Sequence, residues 1–114
     1  MIKETRFYLI HILENIALIQ KSILGLSKEE FVNNKDVLDA GIRRIEVIGE
    51  ATKSISLDFR EKYPYIEWKK IAGTRDILIH SYFKIDFDLL WEIIDKDLPV
   101  LEKQIKDILA KEKK

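Results

Sequence analysis

The stretch VLDAGIRRIEVIGEATKSI, residues 37–55, carries the pattern that decides the fold. Its apolar and small residues recur three and four positions apart, which is the spacing of one face of an α-helix. They are Val37, Leu38, Gly41, Ile42, Ile45, Ile48, Thr52 and Ile55. Gly41 and Gly49 lie eight positions apart on one helix face. Either they let a neighbouring helix pack closely or, for Gly41, the helix simply tolerates a glycine.

Helical patterns precede this stretch. Residues 3–24 contain neither Gly nor Pro, so we predict a long first helix that ends at Gly25. Its predicted apolar face consists of Ile10, Leu13, Ile16, Ala17, Ile23 and Leu24. Ser27 and Glu30 have the spacing of a capping box, which predicts a short helix through Val32 before the Asn33-Asn34 pair interrupts it.

Further helices follow it. Ser56 is a candidate N-cap for a short turn over residues 57–62, ended by Pro64. The next helix is predicted from Glu67 to about Phe83. Asp86 then caps a final pair of segments around Pro99, a residue that either starts a new helix or kinks a continuous one. No segment shows sustained strand alternation, so the fold class is all-α.

Composition limits the class of protein. The 114 residues are 46% hydrophobic and 35% charged, which predicts one ordered domain over 1–114 with a frayed lysine-rich tail at 110–114. Without cysteine and with only two histidines, the chain has neither a disulfide framework nor a zinc motif. No apolar run approaches the ~18 residues of a membrane span. We therefore expect a soluble cytoplasmic protein with no metal and no cofactor.

The segment RDILIHSY, residues 75–82, carries the chemistry. His80 and His11 are the only side chains whose unperturbed pKa suits proton transfer near neutral pH. His80 follows the permanently charged Arg75 by five positions and precedes the phenol of Tyr82 by two. A proton-transfer group beside a fixed cation is the minimum equipment for cleaving a phosphodiester without a metal.

The pattern R-x4-H-x-Y, with Asp76 directly after the arginine, resembles the signature of the HEPN superfamily and, within it, the HepT-like toxins. The segments IGEA at 48–51, YPYIEW at 63–68 and KIDFDLLWEII at 84–94 are similar to segments of that family, and the resemblance covers about residues 7–101. It implies a bundle of four to five helices. These would be two long antiparallel helices, a motif helix and a C-terminal helix.

Helix geometry makes one copy of the motif a poor site. Positions five apart diverge by roughly 140° on a helix, whereas positions seven apart nearly eclipse. Arg75 and Tyr82 are therefore predicted to share a face from which His80 diverges. The family resemblance implies a site where two motifs meet in a cleft between subunits, and we accordingly infer a homodimer.

The resemblance also implies the reaction and its control. The expected activity is that of a metal-independent endoribonuclease, in which His80 transfers a proton and Arg75 stabilises charge on the phosphorane. Asp76 could orient either of them. In HepT-like toxins of type VII toxin–antitoxin systems, an MNT-type nucleotidyltransferase antitoxin adds AMP to the tyrosine that matches Tyr82.

Other interpretations of the same residues remain open. Arg75 could pair with Glu50 or Glu46 across helices. Alternatively, Arg43 could hold Glu46 and leave Glu50 to face the site. Asp76 could be a charge on the helix surface instead of a catalytic residue. Tyr82 could be a phenol in the core instead of the AMP acceptor.

The remaining candidates are less specific. His11 is expected to be solvated on the first helix, and Lys69 and Lys70 either touch RNA backbone or form a solvated face. Trp68 and Trp91 are expected to anchor the core or an interface. The alternative function is a non-catalytic helical dimer that binds a nucleotidyltransferase or a nucleotide.

Overall fold

The computed structural model describes residues 1–80 and 85–112, with side chains for residues 1–74 and 85–112. All regular elements in these ranges are helical, which confirms the all-α class. The elements are α1 Lys3–Ile23, α2 Lys28–Asn33, α3 Lys35–Lys53, α4 Leu57–Lys62, α5 Trp68–His80, α6 Phe87–Glu92, a π-helical segment Ile93–Asp97, and α7 Leu98–Lys111.

The helix ends lie where the local polar residues predict them. Gly25, just after α1, has a φ of 82°, in the left-handed region that glycine adopts without a steric penalty. The Ser27 hydroxyl accepts from the backbone N–H of Glu30, whose carboxylate accepts from the backbone N–H of Ser27. At α4 and α6 the caps are one-sided, because Ser56 and Asp86 each accept from the backbone N–H three residues later. Four predicted boundaries are thereby confirmed.

Helix α3 is the centre of the bundle, because α1, α2 and α5 all pack against it. Ile45 and Ile48 are each only 2% exposed, so they lie deep in the core. A Cβ at Gly41 would lie 3.3 Å from the ring of Phe31 in α2. The absence of a side chain at Gly41 thus lets the fully buried Phe31 ring contact the α3 backbone closely.

The buried face of α1 differs from the predicted one. The side chains that the fold buries are Thr5, Leu9, Ile12, Asn15, Ile16 and Ile19. The predicted stripe is buried at Ile16 and partly buried against the core at Leu13 and Ile23, but it was wrong at three other positions. These are Ile10, Ala17 and Leu24, which are exposed. Apolar residues occur on nearly every side of α1, and they offer two alternative stripes. The polar Asn15 belongs to the buried one, where its amide donates to the His11 carbonyl and accepts from Arg44 at 3.3 Å.

The carboxyl end of α3 is held by an arginine from the next helix. Arg60 Nη2 donates to the Thr52 carbonyl at 2.9 Å, and its Nε donates to the Ile55 carbonyl at 3.1 Å. The last carbonyls of a helix have no partner within it, and they carry the negative end of its dipole. The Arg60 guanidinium supplies both a hydrogen-bond donor and a positive charge at this helix end, and it fixes α4 against the end of α3.

Both tryptophans pack as predicted. Trp68, the first residue of α5, is 5% exposed, and its indole N–H donates to the Tyr63 carbonyl at 2.9 Å. Trp91 packs on the Phe31 ring, with the two ring centroids 5.5 Å apart. Trp68 therefore fixes the start of the helix that carries the motif.

The C-terminal segments form one nearly continuous helical rod. Pro99 is the second residue of α7, where a missing N–H costs no helical hydrogen bond. The π-helical segment widens the rod just before it. Pro99 was predicted either to start a new helix or to kink a continuous one. Both predictions hold in part, because the proline lies in the first turn of α7 and the helical rod continues through it. Helix α7 continues through Lys111, into the segment predicted to fray, while residues 113–114 lie outside the described residues.

Glu112 ties the end of α7 to the segment after α4. Its carboxylate accepts a short hydrogen bond from the Tyr63 hydroxyl and a 2.9 Å hydrogen bond from Lys62 Nζ. The Tyr63 hydrogen bond, followed by the one from Lys62, lowers the pKa of Glu112 from 4.5 to about 2. The same contact raises the pKa of Tyr63 to about 12. Ionised Glu112 is therefore favoured by the folded state.

We expect Glu112→Gln to flatten the acid limb of the stability curve. A carboxyl group whose pKa is depressed on folding stabilises the protein above its unfolded pKa, and that contribution is lost as the pH falls through the folded pKa. The wild type should thus lose more free energy of unfolding than the variant between the unfolded pKa of 4.5 and about 2. Urea unfolding over this range is the measurement. Glu29→Gln, an exposed change on α2, is the control, and equal acid slopes for Glu112→Gln and wild type would contradict the assignment.

Candidate functional site

Three of the predicted catalytic residues lie on one helix. Arg75, Asp76 and His80 all belong to the continuous helix α5, which packs against α3. Helical geometry separates positions 75 and 80 by about 7.5 Å along the axis and about 140° around it. The side chains of these three residues, and the whole of Tyr82, lie outside the described residues.

The two glutamates predicted to support the site lie one turn apart on α3. Glu46 is partly buried and lies 3.7 Å from Arg43 Nη1, as predicted for this i, i+3 pair. Glu50 is exposed on the next turn of the same helix. The alternative that either carboxylate pairs with Arg75 concerns a side chain outside the described residues.

Lys70 links the motif helix to the C-terminal rod. Its Nζ lies 3.5 Å from Glu67 Oε2 on one side and 3.5 Å from Asp97 Oδ2 on the other. The Asp97 carboxylate, followed by that of Glu67, raises the pKa of Lys70 above its usual value. Lys69 and Lys70 are both exposed, and Lys70 is in addition paired with two carboxylates.

A cleft of about 220 Å³ lies beside the first half of α5. Its walls come from α3, α5, the π-helical segment and α7. The interior is apolar, with Ile45, Ile71 and Leu101 among the lining side chains, and the charged groups of Lys70 and Asp97 lie at the same cleft. The cleft reaches Thr74, which directly precedes Arg75 in the chain. An apolar hollow with a few polar groups is the usual form of a small-ligand site.

Sequence reasoning did not predict this cleft, although part of its signal is local. Glu67, Lys70, Ile71 and Thr74 have the i, i+3, i+4, i+7 spacing of one helix face. Asp97 is far away in the chain, and nothing in its neighbourhood identifies Lys70 as its partner.

The other histidine lies on a different helix. His11 of α1 is partly exposed, and its ring stacks on Phe7, with centroids 5.9 Å apart and planes 9° from parallel. In the part of the chain that the structure describes, no three His, Asp or Glu side chains come together as metal ligands. No helix there is both long and apolar enough to cross a membrane.

Comparison with known proteins places the chain in a family. The family model described as ribonuclease HepT-like matches residues 12–108, which include α5 and the whole R-x4-H-x-Y motif. The chain belongs to the HepT-like family. This membership confirms the resemblance drawn from the motif and its flanking segments. It also agrees with the helical bundle described above.

Two HepT-like relatives cover nearly the same length as this chain. A protein of Caldanaerobacter subterraneus subsp. tengcongensis named "Putative RNase" is 46% identical over 111 residues, which are 97% of this chain and 99% of the relative. A "Probable ribonuclease HepT" of Thermococcus cleftensis is 41% identical over 95 residues, covering 83% of this chain and 86% of the relative.

A third relative is longer. The protein of Methanocaldococcus jannaschii named "Gamma-glutamylcyclotransferase and putative RNase" is 47% identical over 109 residues. That match covers 96% of this chain but 49% of the relative, so the chain spans about half of its length. No solved structure matches the chain.

Proposed function

We propose that this protein is an endoribonuclease toxin whose active site is built from the R-x4-H-x-Y motif. The observation that carries the proposal is the family match over residues 12–108, which contains Arg75, Asp76, His80 and Tyr82 together. The names of the relatives, which describe RNases, support the same substrate class. Three of the four motif residues lie on helix α5.

The proposed reaction needs one proton-transfer group and one fixed cation. His80 takes the proton from a ribose 2′-hydroxyl, and the 2′-oxygen attacks the adjacent phosphorus. The bond from phosphorus to the 5′-oxygen breaks, and that oxygen takes a proton from a protonated His80 or from water as it leaves. The products are a 2′,3′-cyclic phosphate and a free 5′-hydroxyl. Arg75 stabilises the negative charge that develops on the phosphorane, and Asp76 orients one of these groups.

The proposed site is shared between two copies of the chain. Because positions 75 and 80 diverge by about 140° on one helix, the arginine and the histidine of a single α5 are poorly placed to act on one phosphate. A two-fold axis near α5 brings the arginine of one subunit towards the histidine of the other. Glu50, exposed on the helix against which α5 packs, is the proposed supporting carboxylate, with Glu46 held by Arg43.

We expect the unmodified protein to cleave RNA in the presence of EDTA, because His80 and Arg75 together supply the proton transfer and the charge stabilisation. Removing a preorganised charge-stabilising group typically costs about 10²–10³ in rate, so His80→Ala and Arg75→Ala should each fall by at least that factor. The measurement is cleavage of purified RNA with sequencing of the fragment ends. Arg6→Ala, an exposed change on α1, is the control. Activity that EDTA abolishes and magnesium restores would contradict the metal-free reaction.

A mixture of two inactive variants tests the shared site. If Arg75 of one subunit acts with His80 of the other, a heterodimer of Arg75→Ala and His80→Ala retains one intact site out of two. With random exchange about half of the dimers are heterodimers, so about a quarter of the wild-type activity should return. The assay follows cleavage after the two inactive proteins are co-refolded. If the mixture stays inactive although mass spectrometry shows heterodimers, the site lies within one subunit.

Tyr82 is the proposed control point of this activity. It lies two positions after His80 and seven after Arg75, so an AMP group on its phenol would bring a negative phosphodiester close to the arginine. That charge competes with the RNA phosphate, and the adenosine occupies the space of the substrate. The proposed modifying partner is an MNT-type nucleotidyltransferase antitoxin, with this chain as the toxin of the pair.

We expect Tyr82→Phe to escape silencing while it keeps cleavage activity, because the phenol is not the proton-transfer group. Co-expression with the nucleotidyltransferase should add one or more AMP units, each about 329 Da, to the wild type and none to the variant. Intact mass and nuclease assays on both proteins are the measurements. Tyr65→Phe, which removes the hydroxyl of an exposed tyrosine, is the matched control. Equal AMP addition to Tyr82→Phe would show that the acceptor is another residue.

A further inference from the structure

Helix α1 has an exposed face with large apolar side chains. Phe7 is 62% exposed, Leu18 is 43% exposed and Ile10 is 36% exposed, although the opposite face of the same helix is buried in the core. Ala17 on this outer side is exposed as well. The apolar residues therefore continue around α1 beyond what the monomer buries, and grouped exposed apolar residues commonly mark an interaction site.

The outer face has a heptad pattern. Its central residues are Glu4, Phe7, His11, Glu14, Leu18 and Lys21, spaced by alternating intervals of three and four. This is the spacing at which one helix presents a seam to another in a coiled coil. The stacked rings of Phe7 and His11 already fix two of these side chains against each other. The seam extends over about 25 Å of the helix at 1.5 Å per residue.

The order of residues along this seam is self-complementary. We place two identical helices antiparallel, with the two-fold axis between Ile12 and Leu13. Each seam residue then faces the residue that lies equally far from this midpoint on the other side of it. Glu4 then faces Lys21 of the second copy, Phe7 faces Leu18, and His11 faces Glu14. The two acidic positions meet a basic side chain and an imidazole, and the two large apolar residues meet each other. No like charges face each other in this register.

We propose that the outer face of α1, defined by the six seam residues, is a homotypic contact separate from the one proposed near α5. In it, α1 packs antiparallel against α1 of a second copy. Every contact occurs twice across the two-fold axis, as an isologous interface requires. Helices α1 and α5 both pack against α3, and all six seam residues belong to α1. The seam therefore does not depend on the proposed nuclease function, and its test uses the state of assembly alone.

The helix dipole gives a second reason for two of the charges. Glu4 lies in the first turn of α1 and Lys21 in the last turn, where each complements the dipole of its own helix. Exchanging the charges of Glu4 and Lys21 distinguishes the helix-dipole explanation from a contact between two copies. The exchange makes both dipole interactions unfavourable, but it restores opposite charges across the antiparallel pair. Only a contact between two copies predicts that association returns in the exchanged protein.

The experiment compares Lys21→Glu with the double variant Glu4→Lys/Lys21→Glu. In the single variant, two glutamates face each other at both ends of the seam, so the mass of the assembly should fall about twofold at micromolar concentration. In the double variant the wild-type mass should return. Light scattering measures the mass, and circular dichroism shows whether each variant is folded. Arg6→Glu, which changes the net charge equally on another side of α1, should keep the wild-type mass.

Disulfide cross-linking tests the register. The chain has no cysteine, so single cysteines report unambiguously on which positions meet. A mixture of Phe7→Cys and Leu18→Cys should form a cross-linked dimer on oxidation, because a disulfide requires the two Cα atoms within about 7 Å. Neither variant alone should cross-link. A monomeric wild type, a double variant that stays dissociated, or cross-linking of Phe7→Cys with itself would each overturn the proposal.

Discussion

The structure depends on the packing of three helices, α1, α2 and α5, against α3. Ile45 and Ile48 contribute the apolar core of this helix, while glycine and other small residues on it let neighbours approach the backbone. Polar groups on the packed side of this helix need hydrogen-bond partners within the protein. The Thr52 hydroxyl donates to the Ile48 carbonyl at 2.8 Å, and the Arg60 guanidinium donates to the Thr52 carbonyl at the helix end. Helices α1 and α5 then have fixed positions because each packs on the same support.

The two surfaces proposed to interact with other molecules belong to different helices. The motif helix α5 lies against α3 and has its first half anchored by Trp68 and by the Lys70 ion pairs. The outer face of α1 carries apolar and charged residues in a self-complementary order. Interactions within the monomer therefore hold both helices in place.

Local chemistry determined which features could be predicted from the sequence. Gly25, Ser27, Ser56 and Asp86 set helix ends through contacts within four residues, and each boundary was confirmed. The buried face of α1 was predicted only in part, because its apolar residues fit two stripes. The buried amide of Asn15 bonds to the His11 carbonyl and to Arg44, and the second of these partners is distant in the chain. The contacts of Glu112 with Tyr63 and of Lys70 with Asp97 join segments far apart in the chain. The motif identified the family, whereas the placement of its side chains stays a prediction.

The anchoring of α5 at Trp68 makes the helix a lever. His80 lies twelve residues beyond this buried residue, about 18 Å away along the helix axis. A tilt of only about 3° around Trp68 would displace position 80 by about 1 Å, a misplacement that can cost about a hundredfold in rate. If His80 acts as proposed, its alignment thus depends on packing at the far end of the helix. A change in the contact between Trp68 and Tyr63 would therefore displace position 80 by more than it displaces Trp68.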